Sequence, residues 1–245
     1  MKSRLWILGA FGIFGVAAFG CAGAPGRPQA GETPVAPNEI TDFGALYQQN
    51  CAGCHGIDGK GGAAIDLDNP VYLAIADDAV LLHATANGVR GTSMPAFAQS
   101  AGGMLTDQQV HAIVSGIRER WAQPDIFHGA DPPTYSSSAP GDVARGSQVY
   151  AQYCASCHGA SGKGGPKGSS IVDGSFLALV SDQELRTIVI AGRPDLGDPD
   201  WRSDVPGTPM TEENISDVVA WIASQRAKFP GQPFPTKANP TGDTR

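Results

Sequence analysis

Tyr47-Gln-Gln-Asn-Cys51-Ala-Gly-Cys54-His55-Gly56, continuing through Ile-Asp-Gly-Lys60-Gly-Gly62, returns 103 positions later as Tyr150-Ala-Gln-Tyr-Cys154-Ala-Ser-Cys157-His158-Gly159 and Ala-Ser-Gly-Lys163-Gly-Gly165. A match of that length is no accident, and an internal repeat sets the architecture before any single residue does. Further on, residues 78–88 correspond to 182–192 at a spacing of 104, and Thr106-Asp-Gln-Gln-Val corresponds to Thr211-Glu-Glu-Asn-Ile at 105. The drift of two residues is loop variation. The chain therefore holds two copies of one small domain.

Each copy opens with apolar residues at helical spacing, over 43–50 and 143–153, directly before the cysteine motif. A central helix is expected from Asp77/Asp78 and from Ser181/Asp182. A last one is expected from Thr106 and Thr211, where a threonine cap precedes acidic residues that suit the helix dipole. Val110, Ile113, Val114 and Ile117 give the last helix of the first copy its apolar face, matched by Ile215, Val218, Val219 and Ile222. No alternating strand pattern occurs, so the fold class is all-α. Residues 123–141 contain Pro124, Pro132, Pro133 and Pro140 and cannot continue a helix. The expected organisation is a domain over 39–121, a linker over 122–141, a second domain over 142–227 and a tail over 228–245.

Gly (32) and Pro (19) are abundant among 245 residues, so much of the chain must be loop. Domains this small bury too little surface on their own, and a cofactor that adds apolar volume to the core would staple them. The formal charge is −7 and no Lys/Arg stripe occurs, which argues against nucleic acid as a partner. Met1–Arg4 carries two positive charges and residues 5–19 carry none, the pattern of a secretory signal. Ala18-Phe19-Gly20-Cys21 resembles a bacterial lipoprotein cleavage box, which implies a signal peptide over 1–21 and lipid attachment at Cys21. An uncleaved N-terminal helix is the alternative anchor. Residues 22–38 then read as a flexible tether. The expected location is the cell envelope, on the periplasmic side of a bacterial membrane.

Cys51-Ala-Gly-Cys54-His55 and Cys154-Ala-Ser-Cys157-His158 have the form of covalent haem attachment: both thiols add to the vinyl groups, and the histidine binds iron. Two intervening residues set the sulfurs a helical turn apart, and the next residue aims its imidazole at the metal. Gly56 and Gly159 let the chain leave without crowding the porphyrin. Zinc knuckles and redox dithiols also use Cys-x-x-Cys, but neither explains histidine following the second cysteine twice. The cofactors expected are two covalently attached haem c groups.

These motifs, the Gly-Lys-Gly-Gly loops, Met94-Pro95-Ala96-Phe97 and a helix opening Leu105-Thr106-Asp107 resemble the small class I cytochromes c over nearly everything outside the linkers. The resemblance implies two tandem cytochrome c-like domains, in each of which the first and last helices cross over one haem edge. It also implies Met94 as the sixth ligand of the first iron, ahead of Met104, which lacks the following Pro and Phe. The second copy departs from the pattern, because Asp198 stands where Met94 should recur. Met210 is taken as the ligand there, ahead of an open iron, although it aligns with Leu105. His83, His111 and His128 read as surface or core residues, and Lys60 and Lys163 as surface charges or docking residues.

The function expected is electron transfer by a membrane-tethered dihaem cytochrome, as a carrier or as a subunit of a respiratory complex, with other redox proteins as partners and no catalytic constellation of its own. The rival is a dihaem enzyme, such as a thiosulfate dehydrogenase or a peroxidase-like protein, with chemistry at the second iron.

Overall fold

Asp42 stops the chain from running on as coil: its carboxylate accepts from Ala45 N–H at 2.8 Å and starts α1 (Phe43–Asn50). A short turn follows, α2 (Ala52–His55), carrying the first motif. This is a computed structural model that describes residues 35–227 apart from 204 and 206; Cys21, the proposed signal peptide and the tail from 228 lie outside the described residues. The first copy continues with α3 (Pro70–Ile75), α4 (Asp78–Asn87) and α5 (Asp107–Trp121). The second repeats the order as α6 (Val143–Tyr153), α7 (Ala155–His158), α8 (Gly174–Leu179), α9 (Asp182–Ala191) and α10 (Glu212–Ser224). The described residues contain no β-strand, only two isolated bridges, so the fold is all-α, with one order of helices repeated in tandem.

Every long helix begins on a side-chain cap. Asp77 and Ser181 accept from Val80 and Glu184 N–H, and Thr106 and Thr211 form full capping boxes with Gln109 and Asn214. Two helices were not read from the sequence. Asn69 and Asp173 each accept from two backbone N–H groups and start α3 and α8, which at six residues are too short to display a helical period.

The first and last helices of each copy cross at close quarters, and a glycine makes each crossing possible. A Cβ on Gly116 of α5 would stand 2.1 Å from the Phe43 ring of α1. In the second copy the small residue is on the other helix, because a Cβ on Gly146 of α6 would stand 2.0 Å from the Asp217 carbonyl oxygen and 2.8 Å from Trp221 Cβ of α10. Leu46, Val110, Ile113, Val114 and Ile117 form the core behind the first crossing, and Val149, Ile215, Val218 and Ile222 the core behind the second. Each such side chain contributes about 1.5–3 kcal/mol by leaving water.

One arginine in each copy ties the corner between the short and central helices to the last. Arg118 donates to the Leu73 and Ala76 carbonyls and to Asp78. Arg226 donates to the Leu177 and Val180 carbonyls and to Asp182.

From Pro37 onward both copies belong to one compact unit. The segment between them has no helix, as expected from its prolines, but it is pinned: buried Arg186 donates to the carbonyls of Thr134 and Tyr135, and Gln183 donates to Tyr135 O. Elsewhere α3 packs against α9. Buried Asn69 donates to Ala191 O at 3.0 Å, while buried Asp66 meets Arg193 at 3.4 Å.

Candidate haem sites

Both motifs fold as the same turn. In the first, Cys54 and His55 N–H groups reach back to Cys51 O at 3.1 and 3.0 Å; in the second, Cys157 and His158 reach Cys154 O at 3.2 and 3.0 Å. None of these four cysteines is in a disulfide. The turn is braced from the preceding helix, where Tyr47 hydroxyl donates to Gly56 O at 2.8 Å and Tyr150 hydroxyl donates to Gly159 O. Gly56 and Gly159 both have φ near +78°, at 79° and 77°, and a Cβ on either would run into the loop backbone at Lys60 O or Gly164 O. The glycine that follows each motif is thus required by loop closure.

The two histidines are oriented alike. His55 Nδ1 lies 2.8 Å from Ile65 O, and His158 Nδ1 lies 2.9 Å from Ser169 O. A carbonyl only accepts, so Nδ1 carries the proton and Nε2 keeps its lone pair for a metal. Burial depresses the pKa of His55 and favours that neutral form, outweighing the bond to Ile65, which acts the other way. Burial raises the Cys51 thiol to about 11 with the neighbouring Cys54 adding to it. Cys154 is pushed up to about 12 by burial, then by the Asp198 carboxylate, then by Cys157.

Tested against a covalent haem, the residues fit. Each turn offers two unpaired thiols and one imidazole with a free nitrogen. The second copy also holds a buried donor without a protein acceptor, Trp201 Nε1, on the loop that follows Asp198, a partner suited to a haem carboxylate. Cys51, Cys54, Cys154 and Cys157 would hold the groups covalently, with His55 and His158 binding iron.

The remaining expected site residues separate in space. Met94 is half-buried, and its N–H donates to Thr92 Oγ1 at 3.2 Å, fixing the loop after α4. Met104 is 82% exposed. Met210 is 6% exposed and packs in the core at the start of α10. Asp198 is the group that faces the second histidine, with Oδ1 3.6 Å from His158 Nε2. His83 and His111 are exposed and bonded within their own helices, and His128 is exposed in the linker. Lys60 is exposed and paired with Asp68 at 2.9 Å.

One cluster escaped the sequence reading. Asp66 adjoins Ile65, the residue that anchors His55. It lies against Arg193 and Asp195 of the loop that carries Asp198. The loop around His55 in the first copy and the loop facing His158 in the second therefore meet through one guanidinium. No local signal marks it, since partners 127 positions apart share no motif.

An all-α fold repeated around two anchored Cys-x-x-Cys-His turns defines a protein with two covalently bound haems. The comparisons agree: the cytochrome c oxidase, cbb3-type, subunit III family matches residues 38–115, and the cytochrome c family matches residues 143–226. The chain belongs to the c-type cytochromes and carries two cytochrome c domains in tandem, with haem c as cofactor in each. Among curated proteins it is similar to the cbb3-type cytochrome c oxidase subunit FixP of Sinorhizobium medicae, with 30% identity over 63% of this chain and 54% of that one. It is also similar to the cytochrome bc1 complex cytochrome c subunit of Mycobacterium tuberculosis, with 23% identity over 76% of this chain and 64% of that one. The chain thus spans between about half and two thirds of the length of these relatives. Among solved structures, a chain of the Kuenenia stuttgartiensis reducing HAO-like protein complex aligns over 79% of this chain and 100% of its own, with 16% identity and a TM-score of 0.43.

Proposed function

We propose that the protein is a dihaem electron-transfer cytochrome that passes electrons to or from a membrane respiratory complex and performs no substrate chemistry of its own. The observation that carries this reading is the duplicated anchor, His55 to Ile65 O and His158 to Ser169 O, which leaves Nε2 of each imidazole free for a metal. Haem iron bound in this way supplies one-electron redox chemistry. The chain's part is to hold each group covalently, to keep Nδ1 protonated and Nε2 free, and to surround the site with apolar side chains. Relatives named as subunits of cbb3-type oxidase and bc1 complexes support a respiratory complex as the partner. Met94 is proposed as the sixth ligand in the first domain. The same proposal places the domains over 39–121 and 142–227, with the linker over 122–141 between them.

Attachment to the periplasmic face of a membrane through lipid on Cys21 belongs to the same reading, supported by the lipoprotein-like Ala18-Phe19-Gly20-Cys21. No helix among the described residues is long and apolar enough to cross a membrane.

The test uses the mature protein from a host that attaches haem c. Mass spectrometry is expected to show two haems per chain, and stopped-flow mixing with respiratory membranes is expected to show both reduced and reoxidised. Sustained consumption of thiosulfate or peroxide by the isolated protein would instead establish the enzymatic alternative.

A further inference from the structure

Two loops with the same backbone geometry carry different chemistry. In the first copy Gly88, at φ 71°, ends α4, and Val89 N–H donates to Met94 O at 3.2 Å. In the second Gly192, at φ 69°, ends α9, and Arg193 N–H donates to Asp198 O at 3.1 Å. A Cβ on Gly88 would stand 2.7 Å from Met94 O and from the Pro95 carbonyl carbon. One on Gly192 would stand 2.7 Å from Asp198 O and 2.6 Å from the Pro199 carbonyl carbon. Asp198 therefore occupies the position of Met94 in space as well as in sequence.

Met210 is accounted for in the same way. Its N–H donates to Trp201 O at 2.8 Å, as Leu105 N–H donates to Phe97 O at 2.8 Å, and both side chains are 6% exposed. Met210 is the second copy's Leu105, placed directly before the threonine cap and packed into the core.

The Asp198 carboxylate has no side-chain hydrogen bond among the described residues, and Oδ1 lies 3.6 Å from His158 Nε2, the nitrogen left free by the bond to Ser169. Imidazole nitrogen and carboxylate oxygen each bind a first-row metal such as zinc at ~2.0–2.2 Å, so a linear pair needs ~4 Å between donors. The observed separation falls short of that by a few tenths of an ångström, within reach of a side-chain adjustment. Arg193, held by Asp195 at 2.8 Å and by Asp66, braces the loop from which Asp198 projects.

We propose that Asp198, an oxygen donor, meets the second haem iron opposite His158, and that Met210 is a packing residue. A thioether opposite histidine raises the reduction potential, whereas a charged oxygen favours the ferric state. The second haem is then the lower in potential, and electrons enter the protein there and leave by the first. The direction rests on the electron-transfer reading above; the ligand does not.

Optical and electron paramagnetic resonance spectra of the ferric holoprotein, with both haems verified by mass, are expected to show one sulfur-ligated low-spin centre and one centre without sulfur. Asp198→Met should add a second sulfur-to-iron band and raise the lower of the two midpoint potentials. Asp198→Asn, which keeps the side-chain shape, should alter only the sulfur-free centre, and Met210→Leu should leave the sulfur signal whole. The assignment is overturned by two sulfur-ligated irons in the wild type, by halving of the band in Met210→Leu, or by unchanged spectra and potentials in both Asp198 variants. A sulfur-free centre with the higher potential would overturn the direction alone. Turnover of thiosulfate or peroxide would overturn the electron-transfer reading and leave the ligand standing.

Discussion

Phe43 pairs with Gly116 across one helix crossing, and Gly146 pairs with Trp221 across the other, so the bulky and the small partner have changed helices between the copies. Residue 43 aligns with 146 and residue 116 with 221. The exchange therefore preserves the volume at each crossing while reversing which helix supplies it, as close packing demands. The two glycines differ in what a methyl group would strike. At Gly116 the obstacle is the Phe43 ring, and at Gly146 it is the Asp217 carbonyl. Gly116→Ala should therefore cost about 1–3 kcal/mol by overpacking. In a double-mutant cycle with Phe43→Ala part of that loss should vanish, leaving a coupling of at least ~0.5 kcal/mol. Gly146→Ala should cost at least as much and should not be relieved by Trp221→Ala, because backbone cannot be trimmed away. Denaturant unfolding of the holoprotein measures all of these, and equal relief in the two cycles would refute the distinction.

Helices that announce themselves by caps and period were legible from the sequence. Asp77, Ser181, Thr106 and Thr211 stand at the caps where they were expected, because a cap is a local contract between a side chain and N–H groups three residues away. The short helices at 70–75 and 174–179 escaped, since six residues make too few turns to show a stripe. The arginine clamps escaped for a different reason. Their acceptors, Leu73, Ala76 and Asp78 against Leu177, Val180 and Asp182, keep the repeat spacing of 104, but Arg118 and Arg226 stand 108 apart, roughly one helical turn out of register. A long side chain reaches the same acceptors from either place, so alignment of the copies conceals the equivalence. Arg226→Ala should leave two carbonyls short of a donor and cost about 1–2 kcal/mol in denaturant unfolding. Arg226→Lys should recover only part of that, because one ammonium cannot hold the planar fork that spans three acceptors.

At the scale of the molecule, the seam between the copies was illegible because it joins residues more than a hundred positions apart. It also titrates. Burial, and then a hydrogen bond shared with Asp195, push the Asp66 carboxyl from its ordinary 3.8 up to about 6, against the pull of the Arg193 guanidinium. The same pairing holds Asp195 down at about 2, through its bond to Arg193. A carboxyl whose pKa is higher in the folded state binds its proton more tightly there, so stability falls as pH rises from about 4 to about 6 and then levels. Asp195 acts with the opposite sign, but below pH 4. The difference in thermal midpoint between wild type and Asp66→Asn, followed from pH 4 to 7, should therefore decline across this interval and flatten above it. A constant offset would show that Asp66 is ionised throughout. The two Cys-x-x-Cys-His turns were legible in the sequence because their residues are neighbours along the chain. The identity of the group facing His158 was not, since sequence offered both a thioether and a carboxylate, and only backbone bonding separates Asp198 from Met210.

Arg186, buried and holding Thr134 and Tyr135 by their carbonyls, makes the connecting segment part of the second domain's own structure. A relay built from beads on a loose string must wait for the beads to collide before charge can hop between them. Here the string is sewn to one bead and the other bead is buttoned to it through Asn69 and Arg193, so, on the proposed electron-carrying reading, the interval between the two stations is set once, at folding.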